Sequence, residues 1–329
     1  MLILGIESSC DDSSCSLVKN GREVLACITQ EQTHIHSKYG GVVPELASRA
    51  HLHYFGDTLS KTLQRAKKSM QEVDMIAVTQ GPGLMGSLLT GVMFARGLAL
   101  QFNLPVFPVH HILAHIYTVF LENNTPPQFP FITLMISGGH TYLLRCKSHN
   151  EFEVLGQTLD DSPGELFDKI ARKLGLGFPG GPVVAKEAEN GNPDIVPLPM
   201  PLKRRPGVDF SFSGLKTAVL REIKRGEFAT EDILASMEQQ IAKFLLNQLL
   251  KAIKTTEYNR VVIVGGVSAN KRLRQFMREN IENRATLFFP DLKFATDNGA
   301  MVASRAFFLS QSITKVPSEF TVLPVLPIS

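Results

Sequence analysis

The chain has 329 residues, of which 44% are hydrophobic and 20% are charged, and its formal net charge is +3. This composition excludes an intrinsically disordered chain, because such chains carry few apolar residues and a high net charge. The length exceeds the roughly 250–300 residues that one hydrophobic core supports, so two domains are expected. A net charge this small does not by itself indicate a nucleic-acid partner.

The N-terminus enters an apolar strand at once, at residues 2–6, with no basic or Arg/Ser-rich leader. The longest continuous apolar runs, such as 261–264, have the length of strands and fall far short of the roughly 20 residues that span a bilayer. The four cysteines form no CxxC pair, which favours free thiols in a reducing compartment. We therefore expect a cytoplasmic protein with no membrane segment.

Predicted strands and helices alternate along most of the chain. The predicted strands are 2–6, 14–18, 75–78, 131–136, 142–144 and 261–264, and the predicted helices are 46–63, 87–102, 165–174, 230–254 and 298–310. The strand–turn–strand pattern of 2–18 returns at 131–146, which indicates an internal duplication. Proline-rich 123–130 predicts the connection between two lobes, proline-rich 195–207 an irregular excursion, and the aperiodic tail after Gln311 a surface wrap.

Basic residues cluster in two stretches. The first holds Lys203, Arg204, Arg205, Lys216, Arg221, Lys224 and Arg225, and the second holds Lys271, Arg272, Arg274 and Arg278. Most such stretches are solvated surface; the alternative is contact with a phosphate backbone.

The segment Gly81-Pro82-Gly83-Leu84-Met85-Gly86 is a GxGxxG pattern between a predicted strand and a predicted helix. A dinucleotide site also needs an acidic residue about 20 positions further on, and the next acid is Glu122. We therefore interpret the glycines as a tight turn and close helix–sheet packing.

His111 and His115 are four residues apart, so on a helix both imidazoles lie on one face and can share a metal ion. No glutamate follows the first histidine, as the HExxH motif of metalloproteases requires. Asp297, before the last predicted helix, is a candidate third ligand, and the alternative is that it caps that helix. Two structural histidines remain the alternative for the pair.

Small-residue turns follow strands at 7–12, 137–140 and 265–270. Each can present backbone N–H groups to a phosphate or a ribose, because glycine lets a ligand approach the main chain. Two strand–turn–strand units and a later strand–turn–helix, in this order, are typical of the nucleotide sites of the actin, sugar-kinase and Hsp70 fold. Gly180 and Gly181 add a further turn suited to a nucleobase.

With these motifs in place, the sequence resembles the bacterial TsaD family of tRNA N6-adenosine threonylcarbamoyltransferases, once described as O-sialoglycoprotein endopeptidases. The matching segments, in collinear order, are 5–12, 36–49, 81–86, 110–115, 137–141, 164–169, 178–182, 210–217, 265–270 and 296–300.

The resemblance implies an α/β, two-lobed actin/Hsp70/sugar-kinase-like (ASKHA) fold with duplicated ribonuclease-H-like lobes and a central cleft. The expected division is an N-terminal lobe at 1–125, completed by a C-terminal helix at about 298–329, and a C-terminal lobe at 126–297. The resemblance further implies transfer of the threonylcarbamoyl group from threonylcarbamoyl-AMP to adenosine 37 of tRNAs that read ANN codons.

The resemblance also implies the site residues. One divalent ion, iron(II) in preference to zinc, would bind His111, His115 and Asp297. The adenylate would contact Met135, Ile136, Ser137, Gly138, Gly139, Asp168, Gly181 and Asn270. Asp11 or Asp12 would orient the donor or accept the amine proton, or would only form the turn. The sequence departs from relatives in two places: archaeal members carry a tyrosine ligand where Met135 stands, and many members carry an aspartate where Ala185 stands.

The implied partners are tRNA, bound in part by the basic segment 203–225, a shorter paralogue of the TsaB type that pairs with the N-terminal lobe, and a small ATPase of the TsaE type. Three alternatives stay open: a metallopeptidase, a non-catalytic nucleotide-binding subunit, and a carbamoyltransferase of the same fold that acts on a small molecule.

Overall fold

The computed structural model describes residues 1–203, 205–312 and 320–328. Arg204 of the first basic stretch, most of the segment that links the last helix to the tail (313–319), and residue 329 lie outside this description.

The backbone divides into two compact units, Met1–Pro127 with Pro290–Ser329, and Gln128–Phe289. The division expected from the sequence placed the lobe boundaries after residues 125 and 297. Because the second changeover falls at 289, Asp297 lies in the same unit as His111 and His115.

The strands and helices of the described residues are numbered in chain order. The strands are β1 Leu2–Glu7, β2 Ser13–Lys19, β3 Glu23–Gln30, β4 Met75–Gly81, β5 Val106–His110, β6 Phe131–Ile136, β7 Thr141–Cys146, β8 Phe152–Gln157, β9 Arg260–Val264 and β10 Thr286–Phe288. The helices are α1 Thr33–His36, α2 Pro44–Ala66, α3 Met85–Phe102, α4 His111–Ile116, α5 Pro163–Leu174, α6 Gly180–Ala188, α7 Ser213–Arg225, α8 Thr230–Thr256, α9 Lys271–Ile281 and α10 Gly299–Ser310.

The first unit is built on a sheet with strand order β3-β2-β1-β4-β5. β1, β2 and β3 form an antiparallel meander, and β4 and β5 continue the sheet parallel to β1. Every residue of β1 is buried, because α2 and α3 cover one face of the sheet and α4 and α10 cover the other. Apolar side chains therefore line both faces of the central strands.

The second unit has the sheet order β10-β9-β6-β7-β8. β6, β7 and β8 form an antiparallel meander, and β9 and β10 follow in parallel, so the strand order repeats that of the first unit. The repeat confirms the internal duplication and the expected α/β class. The core of this unit forms around the long helix α8, which buries fifteen side chains.

Several elements were not predicted from the sequence, and their composition shows why. β5 contains Pro108, which lowers strand propensity but is tolerated because β5 is an edge strand. α9 was expected only as the helix that follows the turn at 265–270; it coincides with the second basic stretch, and Leu273, Met277 and Ile281 lie buried on one of its faces. The strands β3, β8 and β10 and the helices α1, α6 and α7 were missed as well.

Helix α3 is long and apolar enough to cross a membrane by length and composition, with a mean hydropathy of 1.2 over 18 residues. The sequence predicts this helix, but not as a long apolar run, because Gly, Ser, Thr and Arg interrupt its apolar residues. One such helix is weak evidence for a membrane span, since core helices meet the same criterion. In the first unit α3 packs against α2 and β4.

The described part of the tail, residues 320–328, runs along the first unit beside the end of β4. The Leu323 N–H donates to the Gln80 carbonyl at 2.9 Å, and the Gly83 N–H donates to the Pro324 carbonyl at 3.1 Å. Nε2 of His110 lies 3.1 Å from the Leu326 carbonyl oxygen. These contacts fix the turn between β4 and α3.

Candidate metal centre

His111, His115 and Asp297 meet in the first unit. The two histidines lie on α4, directly after β5, and present their rings at one helical turn of separation. Nε2 of His115 is 3.1 Å from Oδ1 of Asp297, and Nε2 of His111 is 3.8 Å from the same oxygen. One ligand atom from each residue lies within 4.8 Å of the others, so the three can hold a metal ion.

The state of His115 fits a metal ligand. The residue is buried, its Nδ1 has no hydrogen-bond partner among the described residues, and its Nε2 has only the 3.1 Å approach to Asp297, which is not a hydrogen bond. A buried polar atom without a partner costs about 1–3 kcal/mol, so such atoms are rare in stable proteins. An ion bound between Nε2 and Asp297 would satisfy the lone pair of this nitrogen.

Asp297 is not the helix cap that the sequence left open. Asn298 takes that position, because its side-chain oxygen accepts the Met301 N–H at 3.0 Å, and its Nδ2 donates to the carbonyl of Thr296 at 2.7 Å. The Gly299 N–H donates to Oγ of Ser14 at 2.9 Å, which ties the start of α10 to the neighbouring strand β2. The carboxylate of Asp297, 26% exposed, is left to face the histidines.

Glu7 is a functional candidate that the sequence analysis did not single out. Its Oε2 lies 3.2 Å from Nδ1 of His111 and accepts the Thr79 hydroxyl at 2.6 Å, while Oε1 accepts the Ser9 N–H at 2.6 Å. Metal-ligating histidines commonly donate their second ring N–H to a carboxylate, which fixes the tautomer and the ring orientation. The only signal in the sequence was an acid at the end of a wholly apolar strand.

The charges around His111 favour a cation. Burial alone would lower the pKa of His111, but the negative charges of Glu7 and Asp297 raise it to about 9. Burial raises the pKa of Glu7, yet His111 and the Thr79 hydroxyl lower it overall. The two carboxylates thus favour positive charge at His111, and a divalent ion bound at Nε2 would take the place of a proton there.

Asp11 and Asp12 lie half-buried in the turn between β1 and β2, in the same unit. Burial, followed by the negative charges of Asp297 and Asp11, raises the pKa of Asp12 to about 9. His51 holds this turn, because its Nδ1 is 2.6 Å from the Ser13 hydroxyl and its Nε2 is 3.0 Å from the Cys10 carbonyl. Asp12 is therefore close enough to Asp297 for the two carboxyl groups to interact electrostatically.

The glycine pattern at 81–86 serves packing. A Cβ on Gly81 would collide with the Leu323 carbonyl, and a Cβ on Gly83 would collide with the Ser9 carbonyl. Both collisions are with backbone atoms that cannot move aside. The sequence was interpreted as a tight turn and close helix–sheet packing; the close neighbours in the structure are instead the tail at Leu323 and the residue Ser9 after β1.

In the second unit, the turn after β6 is the one predicted to bind an adenylate. Met135 and Ile136 are buried at the strand end, and the Ser137 N–H donates to the His140 carbonyl at 2.9 Å. A Cβ on Gly138 or Gly139 would meet no protein atom within 4 Å. The main chain at these glycines is therefore open to a ligand.

Two further segments of the second unit meet this turn. A Cβ on Gly164, in the first turn of α5, would lie 2.6 Å from the Cα of Gly138, so the helix starts directly against the turn. Gly265, after β9, has φ +91°, and a Cβ on it would lie 2.4 Å from the Ile136 carbonyl oxygen. β6 and β9 are parallel neighbours, and ligands of α/β sheets bind at the carboxyl ends of such strands.

Of the remaining residues predicted to contact the adenylate, Asp168 and Asn270 already form hydrogen bonds within the protein. Oδ1 of Asp168 accepts the Gly180 N–H at 2.7 Å where α6 begins, and a Cβ on Gly181 would meet no protein atom within 4 Å. Nδ2 of Asn270 donates to Glu238 at 2.6 Å, and Oδ1 of Asn270 accepts the Leu273 N–H at 2.8 Å. Gly181 is thus open to a ligand, whereas Asn270 also caps α9.

Comparison with known proteins assigns the family. A family model described as tRNA N6-adenosine threonylcarbamoyltransferase (TsaD) matches residues 23–304. A curated protein of that name from Symbiobacterium thermophilum is 42% identical over 330 residues, covering 99% of this chain and 96% of the relative. Its namesake from Thermosipho melanesiensis is 44% identical over 312 residues, covering 94% and 95%.

Solved structures show the same fold at low identity. HypF of T. kodakarensis aligns with a TM-score of 0.66 at 15% identity, over 95% of this chain and 48% of that one. The activator of 2-hydroxyisocaproyl-CoA dehydratase from Clostridium difficile, solved with ADPNP, aligns with a TM-score of 0.55 at 15% identity, over 97% and 100%. These likenesses confirm the expected two-lobed fold class. The family match and the curated relatives show that the chain belongs to the tRNA N6-adenosine threonylcarbamoyltransferase family.

Proposed function

We propose that this chain transfers the threonylcarbamoyl group of threonylcarbamoyl-AMP to N6 of adenosine 37 in tRNAs that read ANN codons. The observation that carries the proposal is the group of His111, His115 and Asp297 within the part of the chain that matches the family. N6 attacks the carbonyl carbon of the donor, the bond from that carbon to the AMP phosphate oxygen breaks, and N6 loses one proton.

His111, His115 and Asp297 would hold the one divalent ion that the family implies. Two histidines and one carboxylate with further positions open are typical of iron(II) sites, so iron(II) is proposed in preference to zinc. When bound, the ion supplies charge that anchors the donor and polarises its carbonyl. Glu7 holds the His111 ring with Nε2 on the side of Asp297, where the ion would bind.

Asp11 or Asp12 is proposed to orient the donor or to accept the amine proton. The amine of adenine is a weak nucleophile and the donor is a mixed anhydride with a good leaving group, so alignment and charge stabilisation are the main tasks. The turn that carries both aspartates is held by His51 at Ser13 and at Cys10.

The adenylate part of the donor is proposed to bind in the second unit, against the turn after β6. The open main chain at Gly138 and Gly139 and the unobstructed face of Gly181 support this location. Asp168 is proposed to lie toward the ribose, and its Oδ1 accepts the Gly180 N–H at 2.7 Å beside the unobstructed Gly181. Asn270 is proposed as a weaker contributor, because both ends of its amide already have protein partners.

The tRNA is proposed to contact the basic segment 203–225. Several basic side chains there are already paired: Lys216 with Asp161, and Arg221 and Arg225 with Glu222. Arg205 and Lys224 are exposed and form no ion pair in the part of the chain that the structure describes. Charge reversal at Arg205 should weaken tRNA binding more at low salt than at high salt.

The shorter paralogue is proposed to bind the outer face of α3. Met85, Leu89 and Met93, one helical turn apart, are 55%, 49% and 56% exposed, and Leu52 on α2 is 70% exposed. Contiguous exposed apolar surface of this kind marks protein–protein contacts. The small ATPase is proposed as the second accessory subunit, and a tRNA-modifying assembly of this kind works in the cytoplasm.

The test is a complete reaction. The purified protein is incubated with threonine, bicarbonate, ATP, the adenylate-forming enzyme and unmodified tRNA, with and without the two accessory subunits, and the nucleosides are analysed by mass. We expect N6-threonylcarbamoyladenosine that depends on Asp297. If the full assembly yields none while a TsaD relative does so in parallel, the proposed function is wrong. Cleavage of a peptide substrate in place of transfer would favour the metallopeptidase.

A further inference from the structure

The second unit contains a cavity of about 360 Å³ between α8 and the proline-rich excursion that precedes α7. Cavities of roughly 300–1,000 Å³ are the usual size of small-ligand pockets. The residues that line it are Met200, Pro201, Leu202, Lys203, Phe244, Asn247, Gln248, Leu250, Lys251 and Lys254. None of the residues discussed for the metal ion or the adenylate is among them.

The excursion is held to α8 by a few specific contacts. Leu198, Met200 and Leu202 pack against the core of the second unit, and the sulfur of Met200 accepts from Asn247 at 3.8 Å. Nζ of Lys251 donates to the Gly207 carbonyl at 3.4 Å. The prolines cannot donate main-chain hydrogen bonds, and the described residues between α6 and α7 form no helix or strand.

The chemistry of the cavity is apolar inside and cationic at the rim. Leu202, Leu250 and the buried ring of Phe244 form its apolar part. Lys203, Lys251 and Lys254 are exposed, and none of the three pairs with a carboxylate among the described residues. None of the lining residues that the structure describes is acidic.

The positions on α8 align these groups. Asn247, Lys251 and Lys254 are spaced four and three residues apart, so they lie on one face of the helix. Asn247 is exposed at this face, whereas the amide of Gln248 is committed to the Asp209 carbonyl at 2.6 Å. The face thus offers one amide and two ammonium groups next to an apolar gap.

We propose that this cavity binds one unpaired nucleotide of the tRNA, with its base in the apolar gap and its flanking phosphates on Lys203, Lys251 and Lys254. Single-stranded RNA is bound in general by bases splayed out onto aromatic side chains and by cationic side chains along the backbone, and here Leu202, Leu250 and Phe244 supply the apolar contact for the base. An acid-free rim with three lysines repels cationic and favours anionic ligands. The proposal rests on the proposed function, because it takes the tRNA as substrate.

The first test is charge reversal on α8. The double variant K251E/K254E is compared with K173E/K186E, which makes the same charge change at two exposed lysines of α5 and α6. Binding of fluorescein-labelled unmodified tRNA is followed by anisotropy from 50 to 300 mM KCl. We expect K251E/K254E to weaken binding at least about tenfold and to reduce the log–log salt slope by about 1.4–1.8, as loss of two phosphate contacts requires. The control should keep the wild-type slope.

The second test fills the cavity without changing its charge. Asn247→Trp should weaken tRNA binding about tenfold while leaving the salt slope unchanged, because only the base is displaced. In the transfer assay, both cavity variants should raise the KM for tRNA and keep kcat. The inference is wrong if K251E/K254E and Asn247→Trp both bind tRNA with wild-type affinity and salt slope. It is also wrong if these two variants lose affinity for free AMP but keep their affinity for tRNA.

These outcomes separate the inference from the proposed function. Anisotropy reports tRNA binding whether or not transfer occurs. If the wild-type protein shows no transfer but K251E/K254E still weakens tRNA binding, only the proposed function is contradicted. A wild-type protein that transfers normally and variants with an unchanged KM contradict only the cavity. Circular dichroism and thermal unfolding confirm that each variant is folded before either conclusion is drawn.

Discussion

The carboxylate of Glu7 lies 3.2 Å from Nδ1 of His111, and both side chains are buried. Glu7 ends β1 and His111 begins α4, 104 positions later, so only the sheet order of the first unit brings them together. The pair leaves Nε2 of His111 on the side of Asp297. The ring is therefore oriented before any ion binds.

Glu7→Gln should lower metal affinity about 10- to 100-fold, the effect usual for the carboxylate partner of a metal-ligating histidine. The amide is nearly the same size, so the fold is kept, but it carries no charge to favour one orientation of the imidazole. Titration of the metal-free protein with iron(II) under anaerobic conditions measures the change. Glu227→Gln, on an exposed loop of the second unit, is the matched control, and equal affinities for the two variants would contradict the role of Glu7.

Asp297→Ala should abolish the stabilisation that a bound metal gives. An ion that binds only the folded state stabilises by about 2.7 kcal/mol at 100 times its Kd, which appears as a rise in Tm. The wild-type protein should show that rise with iron(II), and the variant should not, because two histidines alone remain. The measurement is thermal unfolding with and without metal. A full rise in the variant would show that the ion binds elsewhere.

The parts of the site that could be predicted are the local ones. The spacing of His111 and His115 places both rings on one helical face whatever the rest of the chain does. Asp297 was a candidate third ligand from its position before a helix, but a helix cap remained the alternative because an acid before a helix is a common cap. Only the structure shows that Asn298 takes the cap.

The parts that could not be predicted depend on the fold. Glu7 meets His111 through sheet order, and the commitment of Asn270 to Glu238 depends on how α8 and α9 pack. The fold class followed from the repeated strand–turn–strand pattern, because that repeat is written in the sequence. The edge strand β5 did not, because Pro108 is unfavourable in a strand unless the strand lies at an edge.

Gly181→Ala should separate ligand binding from stability. The added methyl group meets no protein atom within 4 Å, and alanine is favoured over glycine in a helix by up to about 1 kcal/mol. The free energy of unfolding should therefore stay equal or rise, whereas affinity for a non-hydrolysable donor analogue should fall if the adenylate lies against this residue. Gly56→Ala, also in open space on a helix, is the control for the stability gain. Unchanged analogue affinity would remove Gly181 from the donor site.

Asp161→Asn should reveal an acid-sensitive contribution to stability in the second unit. One oxygen of Asp161 pairs with Lys169 and the other with Lys216, and the side chain is 13% exposed. Burial alone would raise the pKa of Asp161, but the hydrogen bonds from the two lysines lower it from 3.8 to about 2. The folded state therefore holds the proton less tightly than the unfolded state does.

The sign of the pH dependence follows from that difference. A carboxyl group with a lowered pKa stabilises the folded state above the unfolded-state pKa and loses this contribution as pH falls from about 4 to about 2. Converting the whole pKa shift into free energy would overestimate the contribution, because Lys169 is 40% exposed and solvent screens its charge. A contribution of about 1–2 kcal/mol to the free energy of unfolding is therefore expected at pH 7. The difference in unfolding free energy between wild type and Asp161→Asn, measured by urea denaturation, should be constant above pH 5 and shrink below pH 4. Asp194→Asn removes an exposed pair with Lys243 and should cost less than about 1 kcal/mol. A difference for Asp161→Asn that stays constant down to pH 2 would contradict the lowered pKa.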